Sequence, residues 1–225
     1  MDGAVTARQL PRGRHRLSHD EVVASQRARL LRAMADAVAE DGYAATTVAT
    51  VLARSGVSRE TFYQQFRDKE DCFLAAFDFC VEALLNAINS AAAGPGGTDP
   101  AKRFDRALRV YLDVMASDAA LARVFLVGAY GAGPAAVARR AAVFDRFVDS
   151  IASLVAFDPS ARFSCEALVG AISSLVTTRV ISGRIGELPE LHGPILQIAG
   201  RLVPVLAGPT ATRYGHAEDS QPKPL

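Results

Sequence analysis

The chain lacks most features of a metalloprotein, a membrane protein or a secreted protein. Its 225 residues include only three cysteines, an odd number without the spacing of metal ligands. All three lie in apolar stretches, which predicts small buried side chains in a reducing cytoplasm. No charge-free stretch reaches the roughly 18 residues of a membrane span, and no apolar segment follows the basic N-terminus. We therefore expect a cytoplasmic protein without a membrane span, a secretory signal, a metal or a cofactor.

Candidate catalytic groups are also scarce. The four histidines lie in predicted termini or loops, without a paired nucleophile or metal-type spacing, and no glycine-rich phosphate loop is present. A Ser-His-Asp triad is assembled in space and leaves no fixed spacing, so the sequence offers no candidate for one. We expect that the protein is not an enzyme.

Alternating apolar and polar runs of strand length are hard to find, whereas helical spacing occurs throughout. Ser18 and Glu21 have the spacing of a capping box, and Asp41-Gly42 is a helix end. Thr47, Ser58 and Asp68 are expected to cap the next three helices. The predicted fold is all-α, with about nine helices: a three-helix helix-turn-helix unit at the N-terminus and a helical bundle at the C-terminus.

Residues 46–69 predict a helix-turn-helix. Gly56 allows a sharp turn between two short helices, and Val57 fills the angle between them. Phe62 and Phe66 are four residues apart and pack the second short helix inward. Its remaining side chains then face outward, as expected for a helix that enters the major groove of DNA.

Arg59 lies near the N-terminal end of that helix and can contact a guanine edge bidentately. Thr61 suits a thymine methyl or a phosphate, and Tyr63, Gln65 and Lys69 suit phosphates. An ordinary helical hairpin with a polar face is the alternative interpretation. The candidate DNA-binding residues in this region are Thr46, Thr47, Ser58, Arg59, Thr61, Tyr63, Gln64, Gln65 and Lys69.

At these positions the sequence resembles the tetracycline-repressor (TetR) family of transcriptional regulators. The resemblance extends without a gap over about 50 residues, from the first helix into the fourth. It is carried by Gly42-Tyr43, Thr46-Thr47-Val48, Ser55-Gly56-Val57-Ser58, Thr61-Phe62-Tyr63, Phe66 and Lys69-Glu70.

The resemblance implies an all-helical homodimer with a DNA-binding unit and a ligand-binding bundle. It also implies that Tyr63 and Lys69 contact phosphate. We expect a basic arm over residues 1–17, the helix-turn-helix domain over 18–68, the ligand-binding and dimerisation domain over 69–207, and a disordered tail over 208–225.

The N-terminal arm carries a local positive charge, although the whole chain has a net charge of only +1. Beside a DNA-binding surface such an arm can enter the minor groove or follow phosphates. The alternative is a solvated tail without a role. The candidate contacts are Arg12, Arg14 and Arg16.

The C-terminal half contains many apolar side chains that could enclose a small molecule, although plain core packing explains each of them as well. The candidates for a pocket are Tyr111, Met115, Phe125, Tyr130, Phe144, Phe147 and Ile172. Asp113 and Arg123 could anchor a polar group, with an exposed position as the alternative. The apolar candidates favour a small, mostly hydrophobic ligand.

The last two predicted helices are apolar on more than one face, which indicates burial all round. A second subunit is the expected cover. The predicted interface consists of Leu168, Ile172, Leu175, Val176, Ile195, Ile198, Leu202 and Val205.

The sequence thus favours a ligand-responsive transcriptional regulator. Its expected partners are a palindromic double-stranded DNA operator, a small-molecule effector and a second copy of the chain, with no membrane. Repression with release by the ligand is the default that the resemblance implies. A helical module that binds another protein without touching DNA is the first alternative, and a transcriptional activator of the same family is the second.

Overall fold

A computed structural model describes residues 18–94, 98–154 and 159–208, and these residues form nine α-helices and no strand. The all-α prediction is confirmed. Two short 3₁₀ turns, Ile185–Leu191 and Pro204–Leu206, flank the last helix. The helices are α1 (His19–Ala45), α2 (Val48–Ser55), α3 (Arg59–Gln65), α4 (Lys69–Ala92), α5 (Pro100–Ser117), α6 (Ala119–Gly131), α7 (Pro134–Ala152), α8 (Pro159–Ile181) and α9 (His192–Leu202).

Side-chain caps fix where the first helices begin, as predicted. The Ser18 hydroxyl accepts from the Glu21 amide at 3.2 Å, and the Glu21 carboxylate accepts from the Ser18 amide at 2.6 Å. Thr47, Ser58 and Asp68 each accept from the amide three residues on. Each cap satisfies an amide that a helix N-terminus otherwise leaves without a partner.

One connected apolar core runs through the described helices. Met34 of α1, Phe62 of α3 and Leu112 of α5 are fully buried in it. The long helix α4 packs against both α1 and α5, so it belongs to the N-terminal unit and to the C-terminal bundle at once. Because the packing is close, a displacement of one end of α4 is transmitted to the other end.

Helix α6 is irregular and longer than expected. The sequence predicts a helix over about 118–128, whereas α6 continues to Gly131 because a π-helical turn, Val124–Gly128, is inserted in its middle. Gly133, with a φ of +103°, then turns the chain, and Pro134 begins α7. The predicted end of this helix, near Val155, lies outside the described residues, and α7 ends at Ala152.

The inner faces of α8 and α9 are covered by their own chain. Leu168, Val176 and Ile195 are at most 1% exposed and belong to the core, so their assignment to a subunit interface is wrong. Leu175 is half-buried against the same core, and Ile172 faces a cavity. The apolar pattern shows that these faces are buried but not which neighbour buries them, and here α7 and the turns beside α9 do so.

The remaining interface candidates keep their exposure. Ile198, Leu202 and Val205 are 37–40% exposed. On the outer face of α8, Phe163 is 71% exposed and Ile181 is 66% exposed. The structure therefore leaves these apolar side chains of α8 and the α9 region without a cover from the described residues.

Helix α8 is also long and apolar enough, over Ala161–Ile181, to cross a membrane by length and composition. This is weak support for a span, because the core helix of a water-soluble protein has the same length and composition. Helix α9 ends at Leu202, two residues before Pro204, as the missing proline amide predicts.

Candidate nucleic-acid interface and ligand cavity

The turn between α2 and α3 has the geometry of a helix-turn-helix. Gly56 closes α2 with a φ of +64°, a left-handed conformation that glycine adopts without steric cost, and its amide donates to the Leu52 carbonyl at 3.0 Å. The Ser55 hydroxyl accepts from the Val57 amide at 3.3 Å. Ser58 then caps α3. These local bonds fix the angle between the two helices.

The inner face of α3 is locked by aromatic packing. Phe62 is fully buried and Phe66 is 3% exposed, with ring centroids 5.5 Å apart. The Arg27 guanidinium of α1 lies 4.6 Å from the Phe66 ring centroid. Since Phe62 and Phe66 are held in the core, α3 presents its outer face in one orientation.

Three of the candidate DNA-binding residues form that outer face. Arg59 and Gln64 are exposed, and Tyr63 is half exposed. The Tyr63 ring packs against the Phe62 ring in a T-shaped arrangement, with the ring centroids 5.3 Å apart. Thr61 is half-buried, and its hydroxyl lies 2.9 Å from the capping hydroxyl of Ser58. The exposed surface of Arg59, Tyr63 and Gln64 is called the α3 surface below.

Thr46 is not available to DNA. It is 1% exposed, and its hydroxyl donates to the Gly42 carbonyl at 2.9 Å, which closes the turn after α1. Its assignment as a DNA contact is wrong, because a threonine after a glycine break can bond back to the helix as well as face outward. The neighbouring Thr47 is exposed and caps α2.

Lys69 and Gln65 also face partly inward. The Lys69 ammonium donates to the carbonyls of Tyr43 and Thr46, each at 3.0 Å, and lies 4.1 Å from the Tyr43 ring centroid. The Gln65 side-chain oxygen is buried without a hydrogen-bond partner in the described part of the chain. Of the three N–H donors of Lys69, two serve the protein itself, so the predicted phosphate contact has at most one left. The arm candidates Arg12, Arg14 and Arg16 lie outside the described residues.

A cavity of about 130 Å³ lies in the C-terminal bundle, between α4, α5, α6, α7 and α8. Five of the seven pocket candidates line it: Tyr111, Phe125, Phe144, Phe147 and Ile172. Its wall is almost entirely apolar. The sequence pattern placed these side chains on inner helix faces, which is why most of the candidates meet there.

Two pocket candidates lie elsewhere. Met115 is fully buried in the core one turn beyond Tyr111, and Tyr130 is 61% exposed on the outside of the bundle. The possible polar anchors Asp113 and Arg123 are both exposed, and Arg123 donates to the Ala39 carbonyl of α1 instead.

The polar group that the cavity does contain was not identified from the sequence. Arg140 of α7 lines the cavity together with Ser173 of α8, and its Nη2 donates to the Ser173 hydroxyl at 3.1 Å. Arg140 follows Arg139, which is exposed and pairs with Asp78. Two adjacent arginines look alike in a sequence, because only the packing of α7 decides which one turns inward.

Comparison with known proteins shows a likeness in the N-terminal unit. Residues 30–76 match the sequence profile described as "Bacterial regulatory proteins, tetR family". The helix-turn-helix region of the chain is therefore similar to that of the tetR family. The predicted resemblance is confirmed, and this match supports the prediction that the protein is not an enzyme.

Several known transcriptional regulators are similar over more of the chain. The HTH-type transcriptional activator FasR of Mycolicibacterium smegmatis is 26% identical over 144 residues, which span 64% of this chain and 63% of that relative. The fatty acid degradation regulator FadR from Bacillus halodurans has the same fold, with a TM-score of 0.69, 19% identity, and coverage of 82% of this chain and 96% of that one. FadR from Bacillus subtilis, solved with stearoyl-CoA, has a TM-score of 0.67, 18% identity, and coverage of 78% and 97%.

In this chain, α4 and α6 connect the cavity to the helix-turn-helix. Phe125 lines the cavity, and its ring centroid lies 6.0 Å from that of Phe77 on α4. One turn earlier on α4, the Phe73 ring packs against the Tyr43 ring in a T-shaped arrangement, with the ring centroids 5.1 Å apart. The Tyr43 backbone carbonyl in turn accepts from the Lys69 ammonium. An unbroken series of contacts therefore joins the cavity wall to the turn that precedes α2.

Proposed function

We propose that the protein is a ligand-responsive transcriptional regulator that binds a palindromic operator as a homodimer. Helix α4 is the observation that carries this proposal. Its N-terminal end is bonded to the chain beside the helix-turn-helix, and its middle packs against a wall of the cavity. A ligand that favours one position of α4 then favours one position of α3 on DNA. As a DNA-binding regulator, the protein acts in the cytoplasm.

The α3 surface supports groove binding. Arg59 lies in the first turn of α3, the end that meets base edges in this motif, while Tyr63 and Gln64 lie one turn further along. One such helix contacts a single half-site. Two copies must place their α3 helices about 34–36 Å apart, or a multiple of that distance, to contact both halves of a palindrome.

The exposed apolar surface on α8 and the α9 region supports a homodimer. Phe163 and Ile181 are exposed near the two ends of α8, and Ile198, Leu202 and Val205 are exposed in the α9 region. Gly170 on α8 has open space around it, so a second helix can approach closely there. This surface keeps Ile198, Leu202 and Val205 from the interface expected from the sequence, and it omits the three residues of that expectation that are buried within the chain.

The wall of the cavity supports a small, mostly apolar effector. Two similar structures point to the same chemical class, since one is named a fatty acid degradation regulator and another was solved with stearoyl-CoA. We therefore place an acyl chain first among candidate effectors.

The direction of regulation is repression with release by the effector, in keeping with the family default. The name of the FasR relative, a transcriptional activator, makes activation a specific second candidate. In vitro transcription from the bound promoter, with and without an acyl ligand, separates the two. A helical module that binds another protein but not DNA is the third candidate.

A gel shift tests the proposal. The DNA should contain the inverted repeats that flank the gene, and the affinity should fall steeply with salt because phosphate contacts release counterions. In the Arg59→Ala variant, the difference in binding free energy between the operator and altered half-sites should shrink by about 1–3 kcal/mol. The affinity for unrelated DNA should change little. Arg146→Ala, an exposed arginine on α7, is the matched control. No salt-dependent shift with any flanking DNA, or equal behaviour of the two variants, would contradict groove binding.

A further inference from the structure

Arg140 occupies an unusual position for a cation. It lines an apolar cavity, where an uncompensated charge is costly. One neutral hydroxyl, that of Ser173, accepts from its Nη2 at 3.1 Å, and the Tyr130 ring centroid lies 4.9 Å from its guanidinium carbon on the outer side. The side chain is thus held between α7, α8 and the end of α6, with its charge at the wall of the cavity.

The charge of Arg140 is not neutralised within the described part of the chain. Its Nε is buried and has no hydrogen-bond partner there, and Arg140 forms no salt bridge to a described carboxylate. The adjacent Arg139 shows the ordinary arrangement, an exposed ion pair with Asp78. A buried donor without a partner is rare and calls for an explanation, and a bound ligand that supplies the acceptor is one.

The other polar groups at the cavity are hydroxyls. Burial raises the pKa of the Tyr111 hydroxyl well above its usual range, against the smaller opposing influence of Arg140, so this group stays neutral and keeps its proton at physiological pH. Ser150 and Ser173 contribute hydroxyl groups. No carboxylate lines the cavity among the described residues, so its polar groups favour an acceptor with negative charge.

We infer that the cavity selects an effector with an anionic oxygen group on an apolar chain, and that Arg140 is the residue that sets this specificity. This inference rests on the proposed effector-binding function. The apolar chain lies against Phe125, Phe144 and Ile172, and the anion accepts from the guanidinium, whose planar donors match a carboxylate or a phosphate. A free fatty or aromatic acid and an acyl-CoA both carry this chemistry.

The size of the cavity guides the choice of probes. About 130 Å³ is close to the roughly 150 Å³ of an apolar cavity that admits benzene, so a short acyl chain is the suitable test compound. Octanoate carries a carboxylate on such a chain, octanol replaces the carboxylate with a neutral hydroxyl, and octanoyl-CoA carries its negative charge on phosphates.

Isothermal titration calorimetry on the full chain measures all three probes, and it does not depend on DNA. The wild type should bind octanoate or octanoyl-CoA about 10- to 100-fold more tightly than octanol, as expected for a hydrogen-bonded charge. Arg140→Gln should abolish that difference while the affinity for octanol is kept, and Arg140→Lys should restore part of it. Arg146→Gln removes an exposed positive charge from the same helix and should leave the preference unchanged.

The two anionic probes identify the source of the charge. A preference for octanoate that depends on Arg140 supports the free acid, and one for octanoyl-CoA that depends on Arg140 supports the thioester. Equal or tighter binding of octanol, an anion preference that survives Arg140→Gln, or no binding of any probe would each overturn the inference. The operator gel shift stays informative in all of these cases, because binding to DNA without effector does not require Arg140. Thermal melting of each variant establishes that the chain is folded.

Discussion

Lys69 binds backbone carbonyls of its own chain, although its type and position predict a contact with DNA phosphate. A lysine at the start of α4 suggests a phosphate contact, yet its ammonium donates to the Tyr43 and Thr46 carbonyls, which α1 leaves without helical partners. It also lies over the Tyr43 ring. Lys69 thereby ties α4 to the chain that leads into α2.

Replacing Lys69 with methionine should destabilise the fold. We expect the free energy of unfolding to fall by about 1.5–3 kcal/mol, because two hydrogen bonds to a charged group are lost. Urea denaturation measures this change. Lys102→Met, at an exposed lysine on α5, is the control and should stay within about 0.5 kcal/mol. Unchanged stability together with a salt slope of operator binding reduced by about 0.9 would instead assign Lys69 to a phosphate.

Two buried thiols should be unreactive in the folded protein. Burial raises the pKa of Cys72 to about 12 and that of Cys80 to about 11, so neither forms the reactive thiolate near neutral pH. Alkylation by iodoacetamide at about pH 8, followed by mass spectrometry, should label both only in denaturant. Rapid labelling of either thiol without denaturant would show that α4 opens readily from the core.

The same two pKa shifts give a pH dependence of stability. Both thiols have an ordinary pKa of 9.0 in the unfolded chain, so the folded state keeps their protons to higher pH than the unfolded state does. Their contribution to the free energy of unfolding is therefore fully present below about pH 9 and is lost as the pH rises toward 11 and 12. Cys72→Ala should make the stability less sensitive to pH in that range.

At the scale of elements, the π-helical turn of α6 brings two parts of the molecule into close contact. Gly128 lies at the end of this turn, and a side-chain carbon there would be 3.2 Å from Val38 of α1 and 3.6 Å from Phe73 of α4. Turns of this kind are frequent at functional sites. Here the turn places Phe125 in the cavity wall while Gly128 lets α6 approach α1.

Gly128→Ala should lower the free energy of unfolding by about 1–2 kcal/mol, because the added methyl group overfills the contact with Val38. Chemical denaturation measures this loss of stability. The control is Gly193→Ala on α9, where the added carbon has no atom within 4 Å. The control should be neutral or slightly stabilising. Adding Val38→Ala to Gly128→Ala should recover part of the loss. Equal effects of the two glycine substitutions would mean that the contact is not tight.

For the whole molecule, the assembly depends on a surface that one chain leaves exposed. Phe163, on the outer face of α8, is 71% exposed. Burying a charge there without a partner costs several times the thermal energy. We expect Phe163→Glu to weaken dimerisation by at least about tenfold and to raise the protein concentration needed for operator binding.

Sedimentation equilibrium measures the dimer, and Phe79→Glu is the matched control. Phe79 is also an exposed phenylalanine, at 48%, but it lies on α4, away from the proposed interface. The control should remain dimeric. If both variants dimerise as the wild type does, the α8 surface is not the interface.

Much of the fold could be predicted because its signals are local. The Ser18 box, the Ser58 cap and the left-handed Gly56 each act through groups within four residues along the chain, so the sequence alone determines where these helices begin or end. The inward face of α3 follows in the same way from the spacing of Phe62 and Phe66.

The site depended more on packing between distant segments. Thr46 and Lys69 turn inward beside a kink in α1 at Gly42, whose φ is +77°. Arg140 rather than Arg139 reaches the cavity because of the rotation of α7 against α8. The pattern of α8 predicted burial, but only the tertiary structure decided which faces its own chain covers. The period of the apolar residues predicts that one face of a helix is buried. It does not predict which segment covers that face, because the covering residues lie far away in the sequence.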